Sequence, residues 1–478
     1  MKRFTFRISN FLFLLIILLL PSQLGKHFWP PFSQVIGVRI DYLSPTLYAT
    51  DILICLLFIV WMISLLRISN FKYQISNIKS KTSLPIFYTC LVLGIGIALS
   101  AQPLLGLYGY MKLAEMAFLS HYTARHVFKT ISFHKILLLF SCAVLFESLL
   151  AIAQFYHHGS IGGIFYWIGE RTFTGQTPGI ANASVQGVLL LRPYGTFPHP
   201  NVLAGFLVIG MTLISSKIKI HSSKFEKILF GLSLAIGTIA LLLSMSRVSI
   251  GLWAVILVFY LVKPLFKYAS STLSSRGRTT KQSSFIRTSA LSKRLLRSYF
   301  ARNDNNKQSI HKLKKFQFSG LILVFIISIA IIVFFTPLRF RLMEISLTEE
   351  AVVIRTELMA ATFRMVIDHP WLGVGLNNFL VTLPSYVRAV SIQYIQPVHS
   401  IYLLALAEIG VAGFVVFCWF LLKSFHKAQP FIQLLLGIIL ITGFFDHYWL
   451  TLQQGQLLFA FVLGLCWTSL HAAKRLRR

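Results

Sequence analysis

The feature that most constrains this chain is a recurrence of apolar runs, each close to the length that crosses a bilayer. A hydrocarbon core of about 30 Å takes roughly 20 residues of helix, and it leaves no backbone polar group unpaired. Runs of this kind lie near 8–24, 47–66, 85–101, 104–120, 136–156, 201–216, 228–245, 248–263, 318–336, 399–422, 431–446 and 453–470. They predict an all-α, polytopic membrane protein with about 12 transmembrane helices. Composition agrees, because only 12% of the residues are charged and 56% are hydrophobic. A soluble domain carries roughly 25% charged residues.

The distribution of charge predicts an orientation. Forty-five Lys and Arg stand against 14 Asp and Glu, for a net charge of +31. Such an excess also marks nucleic-acid binders, but here the basic residues fall in alternate gaps between the apolar runs. The gaps 67–84, 121–135, 217–227, 264–317 and 423–430 hold Arg67, Lys72, Lys79, Lys81, Arg125, Lys129, Lys135, Lys217, Lys219, Lys224 and Lys227 among others. Lys474, Arg475, Arg477 and Arg478 follow the final run. The positive-inside rule assigns these gaps to the cytoplasm. Both termini are then cytoplasmic, and nucleic acid is not an expected partner. Lys2, Arg3 and Arg7 before Phe11 to Leu20 also have the shape of a signal peptide, but no small-residue cleavage site follows, so the segment reads as an uncleaved first span. The basic, Ser- and Thr-rich loop 264–317 reads as a linker attracted to lipid headgroups. Cys55, Cys90, Cys142, Cys418 and Cys466 all sit in apolar runs, with neither metal-ligand spacing nor a disulfide framework. The expected organisation is a transmembrane bundle over 1–336, an extracytoplasmic loop or lid over 337–398, and C-terminal helices over 399–478.

The outer segments carry the residues suited to chemistry. In Arg192-Pro-Tyr-Gly-Thr-Phe-Pro-His-Pro-Asn201, the prolines and Gly195 forbid a regular helix and impose a sharp turn. Asn201 is placed to cap the helix that follows. The stretch reads either as an anion site around Arg192 or as a turn that only caps a helix. Ser246-Arg247 joins two runs almost without a loop, which holds Arg247 at the outer boundary for a ligand or for lipid headgroups. Arg355 to Ile367 has the periodicity of an amphipathic helix, stopped by Asp368-His369-Pro370, with Gly373-Val374-Gly375 after it. His399 opens the tenth run and suits a general base or an interfacial cap. Glu408 and Gly410 follow in that run, and Asp446-His447 lies in the last outer turn, lining a cavity or belonging to an interface belt. Lys112 and Glu115 lie on one helical face and are expected to pair. No Asp-x-Asp metal clamp, Walker loop, dinucleotide fingerprint or nucleophile elbow occurs.

Arg192, Arg247, Arg355 and His399 thus converge on the outer face from separate parts of the chain. Guanidinium forks match phosphate oxygens, and a lipid-borne diphosphate is a leaving group that cations can stabilise. At these residues the chain resembles the O-antigen ligase and O-antigen polymerase superfamily. The resemblance rests on Arg192 to Ala204 (Arg…Gly-Thr-Phe-x-His-Pro-Asn), on Ser246-Arg247, and on Arg355 to Gly410 (Arg…Asp-x-Pro-x-x-Gly-x-Gly…His…Tyr-Leu…Glu-x-Gly). Ser400 stands where that family has Asn. The resemblance implies an integral membrane glycosyltransferase, without metal or cofactor, that moves a glycan from undecaprenyl diphosphate to an acceptor hydroxyl on a glycan, lipid or protein. It further implies inversion at the anomeric carbon. Arg192, Arg247 and Arg355 are then diphosphate ligands, His399 the catalytic base beside Arg355, and His199, Asn201, Glu408 and Asp446 supporting residues. The competing readings are a lipid-linked oligosaccharide flippase and an inactive assembly scaffold.

Overall fold

A computed structural model describes residues 2–66, 83–185, 187–216, 223–276, 322–343, 350–388 and 391–468. These residues are mostly helix. The longer helices are α1 (Lys2–Leu19), α2 (Ala49–Leu66), α3 (Ser83–Ala98), α4 (Pro103–Tyr122), α5 (Phe133–His157), α6 (Pro200–Ser215), α7 (Lys224–Leu243) and α8 (Arg247–Arg276). They continue as α9 (Ile322–Phe334), α10 (Thr336–Met343), α11 (Glu350–Asp368), α12 (Ile401–Lys427), α13 (Pro430–Gly443) and α14 (Gln453–Cys466). A helix stands at each place where the apolar runs predict a span. Four of them, α2, α5, α7 and α12, are individually long and apolar enough to cross a membrane, and the chain is a multi-pass membrane protein.

Helix α6 is the axis of the bundle. Every residue from Pro200 to Ser215 except Asn201 is buried. A helix that is apolar all round has no solvent face and belongs in the centre of a bundle. It packs against α5, α7, α8, α13 and α14. The one exception to its burial lies at its N-terminal end, where the candidate site forms.

Several expectations are corrected. Residues 264–276, read as the start of a linker, continue α8 to Arg276. The ninth run ends in a sharp bend, where α9 meets α10 at an angle of 86°, so the segment read as a loop from 337 begins as helix. Asn201 does not cap α6; the cap is His199, whose Nδ1 accepts from the Asn201 backbone N–H at 3.1 Å. Pro200, which has no N–H to satisfy, occupies the first turn. The expected pairing of Lys112 with Glu115 is present, at 3.4 Å, and Asp51 of α2 joins it at 2.5 Å from Lys112. The segment before α6 contains an antiparallel hairpin pairing Asn182–Val185 with Val188–Leu191. The basic residues Arg67, Lys72, Lys79, Lys81, Lys217 and Lys219, the loop 277–317 and the C-terminal basic residues lie outside the described residues.

The long loop is tied to the bundle by a break in α12. Gly410 has φ +59° and ψ −174°, which interrupts the helix and frees backbone groups on both sides. Loop 370–375 supplies their partners. Val374 N–H donates to Ala407 O at 2.9 Å and Gly375 N–H to Glu408 O at 3.0 Å. In return, Val411 N–H donates to Pro370 O at 2.8 Å and Ala412 N–H to Trp371 O at 3.2 Å. A Cβ on Gly410 would overlap the Trp371 carbonyl, and one on Gly373 would overlap the Ala407 carbonyl. The two glycines of the sequence pattern therefore permit two backbones to interlock.

Candidate active site

The turn 192–201 is shaped from below by polar side chains of α5. Gln154 Oε1 accepts from Tyr194 N–H at 3.0 Å and Gly195 N–H at 2.8 Å, while its Nε2 donates to Gly195 O at 2.9 Å. The same amide donates to Glu170 Oε1 at 2.7 Å. Glu147 accepts from the Thr196 N–H at 2.8 Å and from its hydroxyl at 2.7 Å. All these groups are buried, so each pairing removes an otherwise costly unsatisfied dipole. Glu147 and Gln154 were not singled out in the sequence. The signal was present: both are polar, lie seven apart on one helical face, and interrupt an otherwise apolar span.

Above that frame a relay of side chains crosses the bundle. Arg192, 8% exposed, donates from Nε to Ser244 O at 2.7 Å and from Nη2 to Asn201 Oδ1 at 2.6 Å. Asn201 Nδ2 donates in turn to Asp446 Oδ2 at 2.7 Å. The other Asp446 oxygen accepts from the His447 backbone N–H at 2.8 Å. The His447 ring lies edge-on to His399, with centroids 5.4 Å apart, and is also flanked by Tyr42 at 5.5 Å. Its Nδ1 bonds the Thr451 hydroxyl at 2.7 Å. The Nδ1 of His399 is buried and, among the described residues, has no hydrogen-bond partner.

Arg247 reaches this region from the α7–α8 turn. That turn carries Ser244, the acceptor for Arg192, and Met245 in the left-handed region at φ 52°. Arg247 Nε donates to Arg341 O at 2.7 Å, so the bent helix α10 fastens to the start of α8. Arg355, on an exposed face of α11, is close enough for its charge to act on Arg192, His199, His399 and His447. Arg341 acts on Arg192 more strongly than Arg355 does. It was missed in sequence because nothing local distinguishes it from Arg339; only the 86° bend before it brings it in.

The electrostatics divide charged from neutral groups. Burial, then the neighbouring Arg341 charge, lowers Arg192 to about 10, which leaves it cationic at neutral pH. Burial lowers His399 to about 3 against the opposing pull of Asp446, so its imidazole is neutral. His199 is likewise lowered to about 3, by burial and then by Arg192. His447 is lowered by burial, with Asp446 opposing. Burial alone would raise the Asp446 carboxyl, but His447, the other imidazoles and the Asn201 hydrogen bond outweigh it and hold the group well below the usual carboxylate range. The cluster therefore combines one carboxylate with several guanidinium groups and neutral imidazoles. Its excess is cationic, as an anionic ligand requires.

Of the residues picked out in sequence, Arg192, His199, Asn201, His399 and Asp446 come together, with Arg355 in electrostatic reach and Arg247 on the adjoining turn. Glu408 is not among them. It lies at the break in α12, where its carboxylate faces the backbone N–H groups of Asn377 and Phe379. Among the described residues, no three His, Cys, Asp or Glu side chains gather in a geometry that would hold a metal ion.

Fold and site together define a multi-pass membrane protein with a largely buried cluster of arginine and histidine side chains at one end of its bundle. Residues 232–418 match the family model described as O-antigen ligase, and this match supports the resemblance to the O-antigen ligase and polymerase superfamily. The match includes Arg247, Arg355, His399 and Glu408, whereas Arg192 to Asn201 and Asp446 lie outside it. A comparison with curated proteins finds no match. The family supports a membrane enzyme of glycan assembly.

Proposed function

We propose that this protein transfers a glycan from a lipid-linked diphosphate, of the undecaprenyl type, to an acceptor hydroxyl on the extracytoplasmic face of the bacterial inner membrane. The reading rests on one observation above all: the charges of Arg341 and Arg355 both reach Arg192, which heads a buried relay that holds a single carboxylate. Such an excess of guanidinium suits the two phosphates of the donor. In the transfer, the acceptor hydroxyl loses its proton to His399, and the acceptor oxygen bonds to the anomeric carbon. The bond from that carbon to the diphosphate oxygen breaks, and its electron pair stays on the diphosphate. Arg192, Arg247 and Arg355 stabilise that charge, as a preorganised cationic site does. Attack opposite the leaving group inverts the anomeric centre. The donor's own diphosphate needs no metal to leave, so the reaction is expected to proceed without one. EDTA should leave the rate of the purified enzyme unchanged, and inhibition reversed by a divalent cation would refute this.

The orphan Nδ1 of His399 supports its role as base, since an acceptor hydroxyl is the partner that atom lacks. Substituting His399→Ala should lower the transfer rate by about 10²–10⁴-fold with little change in donor affinity. Because His399 is held neutral far below its ordinary value, kcat/KM should stay level from about pH 8 down to about pH 5. An inflection near pH 6.5 would count against a buried base. Protein stability changes with pH in the corresponding sense. Below the ordinary value of 6.5 the unfolded chain binds protons that folded His399 and His199 do not, so stability falls as pH falls. The decisive experiment incubates purified protein with a lipid-linked glycan and candidate glycan, lipid and protein acceptors, and reads the products by mass spectrometry. Release of lipid diphosphate together with a glycosylated acceptor supports the reading; absence of product with every acceptor class would sink it.

A further inference from the structure

One face of α12 changes character every fourth residue. Val411, Val415 and Trp419 are 39%, 59% and 43% exposed, and Lys423 and Lys427 continue the row. Positions four apart stack along one side of a helix, so this face runs from apolar to aromatic to cationic. Its cationic end lies at the far end of α12 from His399, because α12 begins beside His399 and ends at Lys427.

A second aromatic residue completes the cationic end. Trp467 follows α14, donates from Nε1 to Ser424 Oγ at 2.9 Å, and stacks on Phe420 with centroids 6.0 Å apart. Lys427 Nζ stands 4.1 Å from the Trp467 ring centroid, and Lys423 Nζ stands 4.4 Å from that of Trp419. Arg125, from the π-helical turn Thr123–Val127 after α4, adds a third cation, and its charge and that of Lys423 both act on Lys427. Among the described residues, none of these three cations forms an ion pair with a carboxylate. Three like charges drawn together at the rim of a membrane bundle repel one another unless an anion lies between them.

We propose that Arg125, Lys423 and Lys427, with Trp419 and Trp467, bind the headgroup phosphate of an anionic phospholipid. The ligand is a lipid rather than a soluble phosphate because the cations prolong an exposed apolar row. The acyl chains lie along Val411 and Val415, the ester region meets Trp419 at the depth where tryptophan concentrates, and the phosphate reaches the lysines about 12 Å further along the axis from Val415.

The test uses the full-length protein, delipidated in neutral detergent. Phosphatidylglycerol, phosphatidylcholine and water-soluble glycerol phosphate are added in turn, with bound lipid counted by native mass spectrometry and stability read by thermal unfolding. Phosphatidylglycerol should be retained and should raise the melting temperature, and the other two should not. Each lost cation should weaken retention about fivefold, so combined Arg125→Gln, Lys423→Gln and Lys427→Gln should weaken it on the order of 100-fold. Lys423→Arg with Lys427→Arg keeps the charge and should keep the lipid. Equal retention of phosphatidylcholine, undiminished binding by the glutamine variant, or loss of binding by the arginine variant would overturn the site. Full stabilisation by glycerol phosphate alone would overturn the lipid as its occupant.

Discussion

Replacing Arg192 with alanine is expected to lower glycan transfer by on the order of 10³-fold or more, the scale of removing a preorganised charge-stabilising donor from a buried site. Two effects combine. The variant loses a cation aimed at the donor diphosphate, and it releases the relay through Asn201 to Asp446, whose carboxylate is 8% exposed. A buried carboxylate that loses its support is costly, so melting temperature must be measured beside activity. Arg192→Lys separates the two effects. It keeps the charge but cannot span Ser244 O and Asn201 Oδ1 with one planar fork. It should retain most of the thermal stability while recovering only a small part of the rate. A folded Arg192→Ala protein that transfers glycan within tenfold of the unaltered enzyme would remove Arg192 from the mechanism.

The second large effect is structural. Gly410→Ala should destabilise the region by on the order of 3 kcal/mol or more, from backbone strain and lost hydrogen bonds together. Its φ of +59° with ψ of −174° lies where essentially only glycine is found, and the added methyl would overlap the Trp371 carbonyl. Relief requires loop 370–375 to leave the break in α12, which forfeits its hydrogen bonds to Ala407, Glu408, Val411 and Ala412. The same loop follows directly on α11, which carries Arg355, so transfer should fall as well. Hydrogen exchange at Val374, Gly375, Val411 and Ala412 reads this directly. Unchanged protection there in the alanine variant would show that the interlock contributes nothing.

Much of the architecture was legible beforehand, and for a plain reason. Membrane helices must bury their backbone dipoles within one segment, so each span announces itself locally as an apolar run. The stop at Asp368-His369-Pro370 was also local, since proline disfavours helix just before it; α11 ends at Asp368. Asn201 shows the limit of such reasoning. Its type and position predicted a cap, yet a cap needs only an acceptor for a free backbone N–H, and His199 Nδ1 supplies one. What Asn201 does instead is set by Asp446, 245 positions away in sequence.

The sequence by itself determined the class of molecule, the places of its helices, and several of the arginines and histidines that meet at one end of the bundle. Hydrophobic periodicity, proline and glycine act within a few residues, so they can be read one segment at a time. Only the tertiary structure decided that Gln154 and Glu147 shape the turn, that Arg341 joins the cations while Glu408 stays at the break, and that His399 is neutral. Those outcomes depend on which buried dipoles face each other across helices. Charge, desolvation and hydrogen bonding between distant residues are properties of the packed arrangement, and they leave no periodic trace along the chain.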